Sequence, residues 1–294
     1  MSNSESSRTE PLVWLITGTS SGFGRYFVTE ALGRGDKVIA TARAKSIHQL
    51  DDLKAKGAQV LELDVTAPTD TLKEVAKKAV EIYGRIDVLV NNAGYVQAGT
   101  VEEVTAEEAY RQYQTNVLGP MDLTRAVLPY MRERRTGTIV FIGSLAGHIG
   151  VGYMGLYNST KWALRGIALS LNQEISHLGL RATCIDFGTF RTAVLDPSKR
   201  GEEVARIPDY KPVSDMIEAH LKAENGKQAG DPEKGVRVVV DIVRGEGSAL
   251  GKPFPASVCI GSDCYGGVKA VAEGILRNLE EWKEVTCSTN FDDI

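Results

Sequence analysis

The 294 residues are 43% hydrophobic and 24% charged, close to globular averages, which excludes a disordered, collagenous or coiled-coil chain. The 34 basic and 38 acidic side chains leave a net charge of −4 with no long single-sign run. No basic face for nucleic acid is advertised, so the expected partners are small molecules.

The chain opens on a polar tail, residues 1–11, with Ser, Asn and Glu where a signal peptide would need an apolar run. Apolar β-type runs then recur at Leu12–Thr17, Lys37–Ala42, Gln59–Val65, Asp87–Asn92, Thr138–Gly143, Arg181–Phe187 and Ser257–Gly261. Several are apolar almost throughout, as strands buried on both faces are. Between the runs apolar residues fall three and four apart: Phe23, Phe27, Ala31 and Leu32 form one stripe, and Leu72, Val75, Ala76, Ala79 and Val80 another. This alternation predicts an α/β fold, a doubly wound Rossmann-type sheet of seven parallel strands with helices on both faces. With no repeat, linker or composition break, residues 12–286 are expected to form one catalytic domain, followed by a polar tail at 287–294.

The first run leads straight into Thr17-Gly18-Thr19-Ser20-Ser21-Gly22-Phe23-Gly24, and a helix follows. Gly18 permits a tight turn off the strand, Gly22 permits backbone to approach a diphosphate, and Gly24 permits close packing of the helix on the sheet. The helix N-terminus offers free N–H groups and partial positive charge to phosphates, so Ser20, Ser21 and Phe23 join the glycines as expected cofactor contacts. The spacing Gly18-x-x-x-Gly22-x-Gly24 after Thr17 resembles the T-G-x-x-x-G-x-G turn of the short-chain dehydrogenase/reductase family, in its single-domain branch. The resemblance spans about residues 13–190, with a looser match through the last strand.

The second run ends Ala40-Thr41-Ala42-Arg43. An NAD site wants an acid there for the ribose hydroxyls, whereas a 2′-phosphate wants a cation and no carboxylate. Arg43 therefore predicts NADP(H) as the cofactor. Asp64-Val65, taken as the close of the third run, stands where the family's aspartate holds the adenine amino group. Asn91-Asn92-Ala93-Gly94 closes the fourth run and matches the family's N-N-A-G, so Asn91, Ala93 and Gly94 are expected beside the adenosine ribose.

Tyr157 and Lys161 in Tyr-Asn-Ser-Thr-Lys are four apart and share a helix face. A free phenol is a poor proton shuttle at neutral pH, and a nearby ammonium favours the phenolate. Such a pair can exchange a proton with a carbonyl or alcohol. The resemblance adds two residues. Ser144, thirteen residues earlier, matches the family serine that orients the substrate oxygen, and Asn116 matches the asparagine that helps hold a proton-relaying water. Asn116, Ser144, Tyr157 and Lys161 thus stand in the order of the family's catalytic tetrad, and Tyr157 and Lys161 also border the cofactor.

After the sixth run the family usually has Pro-Gly, and this chain has Phe187-Gly188. Gly188 and Phe190 are expected near the nicotinamide, and Thr192 stands where a family hydroxyl reaches its amide or the diphosphate. Residues 189–231 form a long connection of mixed polarity, with Lys199, Arg200, Glu202 and Glu203 close together, and are expected to cover the substrate. Their apolar residues point to an apolar ketone, aldehyde or secondary alcohol. His148, Tyr153, Met154 and Phe190 are candidate substrate contacts. The segment from Asp263 reads as helical through Trp282.

Cys184, Cys259, Cys264 and Cys287 are too scattered for a disulfide framework, and the four histidines take no zinc spacing, so no metal is expected. Reduced thiols and the lack of an apolar run of about 18 residues point to a cytoplasmic protein. The combined expectation is an NADP(H)-dependent oxidoreductase acting on a carbonyl/alcohol pair. By resemblance it forms a homodimer or homotetramer through helical stretches near 102–134 and 157–178. An NADP(H)-binding redox sensor without turnover explains the glycine turn and Arg43 but not the complete tetrad. An epimerase or dehydratase shares the Tyr/Lys pair, with a different glycine spacing.

Overall fold

The computed structural model describes residues 10–196, 200–201 and 204–291. The first nine residues of the N-terminal tail, Lys199, Glu202 and Glu203 of the covering segment, and the last three residues of the chain lie outside the described residues. Seven strands form one parallel sheet: β1 Val13–Ile16, β2 Lys37–Ala42, β3 Gln59–Glu62, β4 Val88–Asn91, β5 Gly137–Ile142, β6 Leu180–Phe187 and β7 Ser257–Ile260. Their order is β3-β2-β1-β4-β5-β6-β7. The winding reverses between β1 and β4, and such a switch point opens a crevice beyond the carboxyl ends of the strands.

Ten helices accompany the sheet among the described residues: α1 Gly22–Gly33, α2 Asp51–Ala55, α3 Thr69–Tyr83, α4 Ala106–Tyr113, α5 Gly119–Arg134, α6 Gly155–Ile175, α7 Lys211–Glu224, α8 Pro232–Arg244, α9 Ser262–Glu281 and α10 Lys283–Cys287. Side chains alternate across a strand, so Trp14 and Ile16 enter one core with Phe27 of α1 and Val239 of α8. Val13 and Leu15 enter the other core with Leu72, Leu123 and Leu164 of α3, α5 and α6. Both faces of β1 are covered, which is why the run carries no polar alternation.

The floor of β1 is pinned by two carboxylates. Asp36 accepts from Leu12 N at 2.9 Å, Trp14 Nε1 at 2.8 Å and Arg244 at 2.6 Å. Asp87 accepts from Val13 N, Arg85 and Arg134, each at 2.9 Å. Burial opposes ionisation of Asp87, yet these donors outweigh it and hold the carboxyl below its ordinary range.

Three local expectations are corrected. β3 ends at Glu62, because only Leu63 N continues the ladder, to Ala42 O at 2.9 Å. Asp64 then turns out, its Oδ1 accepting from Thr66 N at 2.9 Å and Thr66 Oγ1 at 2.7 Å. β5 stops at Ile142, one residue short of the expected Gly143, and Ser144 opens a short turn. The stretch near 102–134 is not one helix: α4 and α5 are joined by a π-helical segment, Gln114–Leu118. A Cβ on Gly119 would lie 2.4 Å from Val65 O, so this glycine lets the helix resume against the sheet. The covering segment contains α7. Helix α9 is held near its start, where Cys264 is buried, and leaves Ile275, Leu276, Leu279 and Trp282 exposed.

Candidate active site

The glycine turn follows β1. Gly18 has φ +69° and Gly22 φ +56°, a region that side chains with a Cβ rarely enter. A Cβ on Gly18 would sit 2.9 Å from Ala93 Cα, and one on Gly24 2.4 Å from Gly18 O, so both are needed for close backbone approach. Gly22 differs: its nearest neighbour would be Thr192 at 3.9 Å, which leaves space in front of the turn. Ser21 is the N-cap of α1 and makes no side-chain capping bond. The first N–H groups of α1 are therefore available to an anion, and the space and the donors together fit a diphosphate.

Thr17 and Asn92 bolt the turn to the end of β4. Thr17 Oγ1 accepts from Asn92 N and Ala93 N, both at 2.9 Å. Asn92 Nδ2 donates back to Thr17 O at 2.8 Å and Gly18 O at 3.1 Å. Asn91 is buried, donates to Thr124 Oγ1 at 3.0 Å, and leaves its Oδ1 without a partner. Arg43, just past β2, is exposed and has no carboxylate partner among the described residues.

The four tetrad candidates stand on neighbouring elements: Asn116 in the π segment, Ser144 just past β5, and Tyr157 and Lys161 on α6. Asn116 lies within the π segment, a feature that often marks functional positions. Its side chain is fully engaged: Oδ1 accepts from Tyr95 N at 3.1 Å, and Nδ2 donates to Tyr95 O at 2.9 Å and Thr160 Oγ1 at 3.2 Å. Gly94 passes close by, with room for a Cβ only 3.2 Å from that same Oδ1. Lys161 Nζ donates to Ile142 O at 2.7 Å, two residues before Ser144. The ammonium stands 5.7 Å from the centroid of the Tyr157 ring. Ser144 Oγ accepts from Ala146 N at 3.1 Å, which leaves the hydroxyl proton free to donate.

Phe187 in place of the family proline has a packing role. Its ring stacks on Phe23 at 4.0 Å, and Phe190 meets Phe187 and Phe23 edge-on at 5.1 and 5.5 Å. Phe190 is consequently 6% exposed and packs against Gly230 and Gly235. Gly188 is forced by Asp263: a Cβ would lie 2.0 Å from its Oδ1. Asp263 Oδ2 accepts from Thr189 N at 2.6 Å and Thr189 Oγ1 at 2.7 Å. Thr192 caps the next turn, its Oγ1 accepting from Val194 N at 3.4 Å.

Among the substrate candidates, Met154 is half-buried at the start of α6. Tyr153 takes φ +65°, is 2% exposed, and donates to Val204 O of the cover at 3.4 Å. His148 closes the short turn that Ser144 opens. It is buried, with Nε2 2.9 Å from Asp186 Oδ2.

Sequence spacing missed the cluster around Asp186. His148, Asp186 and Cys259 each offer a donor atom within 4.8 Å of the others, a group assembled from three elements and invisible to short motifs. Arg165 Nε stands 3.6 Å from the same Asp186 Oδ2, and that cation makes the group an ion-paired network and not a metal cage. Burial, aided by Asp186, pushes the Cys184 thiol well up, and burial likewise raises Cys259 and Cys264. The signal was present: a lone acid in the apolar run Cys184-Ile185-Asp186-Phe187. Also missed were the anchors of the cover. Arg206 donates to Glu108 at 2.8 and 3.1 Å, Arg200 to Glu218 at 2.7 and 2.8 Å, and Gly201 N to Val96 O at 2.8 Å.

The family model described as short chain dehydrogenase matches residues 12–203. The oxidoreductase BOA17 of Botryotinia fuckeliana is 32% identical over 281 residues, covering 94% of this chain and 98% of its own. A 3-ketodihydrosphingosine reductase of Bacteroides thetaiotaomicron is 33% identical, over 68% of this chain and 72% of its own. A solved short-chain dehydrogenase from Streptomyces avermitilis superposes with a TM-score of 0.82 at 32% identity, covering 96% of this chain and 100% of that one. A serine dehydrogenase solved with NADP+ superposes with a TM-score of 0.68 at 26% identity, over 85% of this chain and 94% of that one.

Proposed function

The chain belongs to the short-chain dehydrogenase/reductase family of oxidoreductases, and from that premise we propose that it is an NADP(H)-dependent reductase of apolar carbonyl compounds, working reversibly on the matching secondary alcohols. The observation that carries the reading is the convergence of Tyr157, Lys161 and the Ser144 turn: the Lys161 ammonium is 5.7 Å from the Tyr157 ring and is fixed to Ile142 O at 2.7 Å.

Bound NADPH supplies the hydride. As the carbonyl carbon accepts it, Tyr157 Oη gives its proton to the oxygen, and the Ser144 hydroxyl hydrogen-bonds the same oxygen. The Lys161 charge stabilises negative charge developing on the phenol oxygen. With one ammonium proton on Ile142 O, Lys161 keeps two donors for the nicotinamide ribose and a water. The Asn116 side chain is spent on Tyr95 and Thr160. Gly18, Gly22, Gly24 and the start of α1 would hold the diphosphate, and Asp64 keeps Oδ2 for the adenine.

Arg43 supports NADP(H), because an exposed guanidinium with no ion-pair partner among the described residues suits a 2′-phosphate. The apolar substrate class is supported by the cover's composition and by the likeness to a 3-ketodihydrosphingosine reductase. Four free cysteines are compatible with a reducing cytoplasm, and no helix among the described residues is long and apolar enough to cross a membrane. A homo-oligomer through α4–α5 and α6 is supported by exposed Tyr110, Leu118 and Trp162. Sedimentation should give a dimer or tetramer at micromolar concentration, and a monomer would refute this.

The cofactor assignment is tested by initial rates with NADPH and NADH. Arg43→Ala should raise the KM for NADPH about tenfold or more, the loss of one charge-assisted contact, and leave that for NADH within about twofold. Equal effects on both would overturn the NADP(H) preference.

A further inference from the structure

The Asp186 carboxylate, at the carboxyl end of β6, is 0% exposed. A buried carboxylate is costly unless donors meet its oxygens. Oδ1 accepts from Ser144 N at 3.2 Å and Cys184 Sγ at 3.3 Å. Oδ2 lies 2.9 Å from His148 Nε2, which must carry the proton because a carboxylate only accepts, with Arg165 Nε at 3.6 Å.

Strand register explains the meeting. Phe141 pairs with Cys184 and Ile142 with Ile185, so Gly143 comes beside Asp186. A Cβ on Gly143 would lie 2.0 Å from Asp186 Oδ1, and only glycine lets the Ser144 backbone reach it. One carboxylate thus grips both ends of the segment Ser144–His148. Within that segment Gly147 N donates to Ser144 O at 2.8 Å and His148 N to Leu145 O at 2.9 Å, so the turn is closed on itself. The bond from Ala146 N to Ser144 Oγ is local and does not set where the turn sits. Arg165 lies one helical turn beyond Lys161 on α6, so Asp186 also faces the helix that carries Tyr157 and Lys161.

We infer that Asp186 is a positioning residue of this site: it sets the place of the Ser144 hydroxyl relative to Tyr157, and with it the reach of the serine to a substrate oxygen. The inference rests on the proposed role of Ser144. Asp186 is fully buried and acts only through the turn, with His148 as the second point of its grip. A misplacement of about 1 Å in such a group costs about 10²-fold in rate.

A double-mutant cycle tests it. The probe is the fastest-reduced member of a panel of apolar ketones, aldehydes and quinones, with NADPH and the full chain. Asp186→Ala should lower kcat about 10²-fold while the NADPH dissociation constant, by calorimetry, stays within about twofold. Adding Ser144→Ala to Asp186→Ala should cost less than about threefold more, because the hydroxyl is already out of place. Asp186→Asn, which keeps an oxygen for Ser144 N–H, should recover most of kcat. A purely structural carboxylate would change the amount of folded protein and leave kcat per NADPH-binding site intact, and Ser144→Ala would cost the same in both backgrounds; that additivity overturns the inference. Should Asp186→Ala fail to fold, His148→Ala frees one end of the turn, and the same non-additivity or additivity with Ser144→Ala decides. Native kcat in Ser144→Ala alone would instead remove the serine's role, and that failure is read in the unmodified background.

Discussion

The two walls of the cleft are held by different forces. The wall built from β1, β4, β5 and α6 is fixed by backbone contacts: Asn92 and Thr17 bolt the glycine turn, Asn116 clamps Tyr95, and Lys161 reaches the Ile142 carbonyl. The opposing cover is fixed to the body largely through charged side chains. Arg206 spans to Glu108, Glu103 accepts from Arg206 N and Ile207 N, and Tyr210 reaches Glu102. Bonds between backbone and the neutral side chains of Thr17, Asn92 and Asn116 do not titrate, whereas part-exposed ion pairs are screened and titratable. On the proposed function, the catalytic candidates stand on the first wall and the second is held by contacts that acid and salt weaken.

Breaking the rigid wall should have the largest effect. Gly24→Val places a branched side chain where even a Cβ meets Gly18 O at 2.4 Å. It should cost about 1–3 kcal/mol from overpacking and abolish NADPH binding, read by thermal unfolding and calorimetry. Native affinity in that variant would show that the glycine turn does not hold the diphosphate.

The cover should respond to acid. The Arg206 guanidinium beside Glu108 holds its carboxyl at about 2, below the ordinary 4.5. The folded value is the lower one, so this pairing stabilises the cover fully above pH 4.5 and is lost as pH falls toward 2. Hydrogen exchange corrected for intrinsic rate should therefore rise in residues 204–210 between pH 5 and 3, about twofold to tenfold, with β4 and β5 unchanged. Arg206→Ala should show the faster exchange already at neutral pH and a weaker acid response. A cover that exchanges identically at all these pH values would remove the distinction between the walls.

The same distinction governs what the sequence made legible. The seven strands were readable because most are apolar runs covered on both faces; the Tyr157/Lys161 pair was readable as a helical repeat, and Ser144 and Asn116 only through the family resemblance. Strand ends at Glu62 and Ile142 were overshot because Leu63 and Gly143 stay pleated, and backbone-bonded, beyond the ladder. The π segment at Asn116 has no composition signature; it follows from the approach of Gly119 to Val65 O. The ring cluster of Phe23, Phe187 and Phe190 was not legible, because it joins residues more than 160 positions apart. The Arg206–Glu108 pair joins residues 98 positions apart, beyond any periodicity.

The central claim is that Tyr157 moves the proton. NADPH oxidation, followed by the absorbance of reduced nicotinamide against the carbonyl panel, should proceed in the native chain and fall about 10³-fold or more in Tyr157→Phe, with NADPH binding unchanged by calorimetry. Turnover retained in the phenylalanine variant would contradict the mechanism, and tight NADPH binding with no turnover in the native chain would favour a redox-sensing protein.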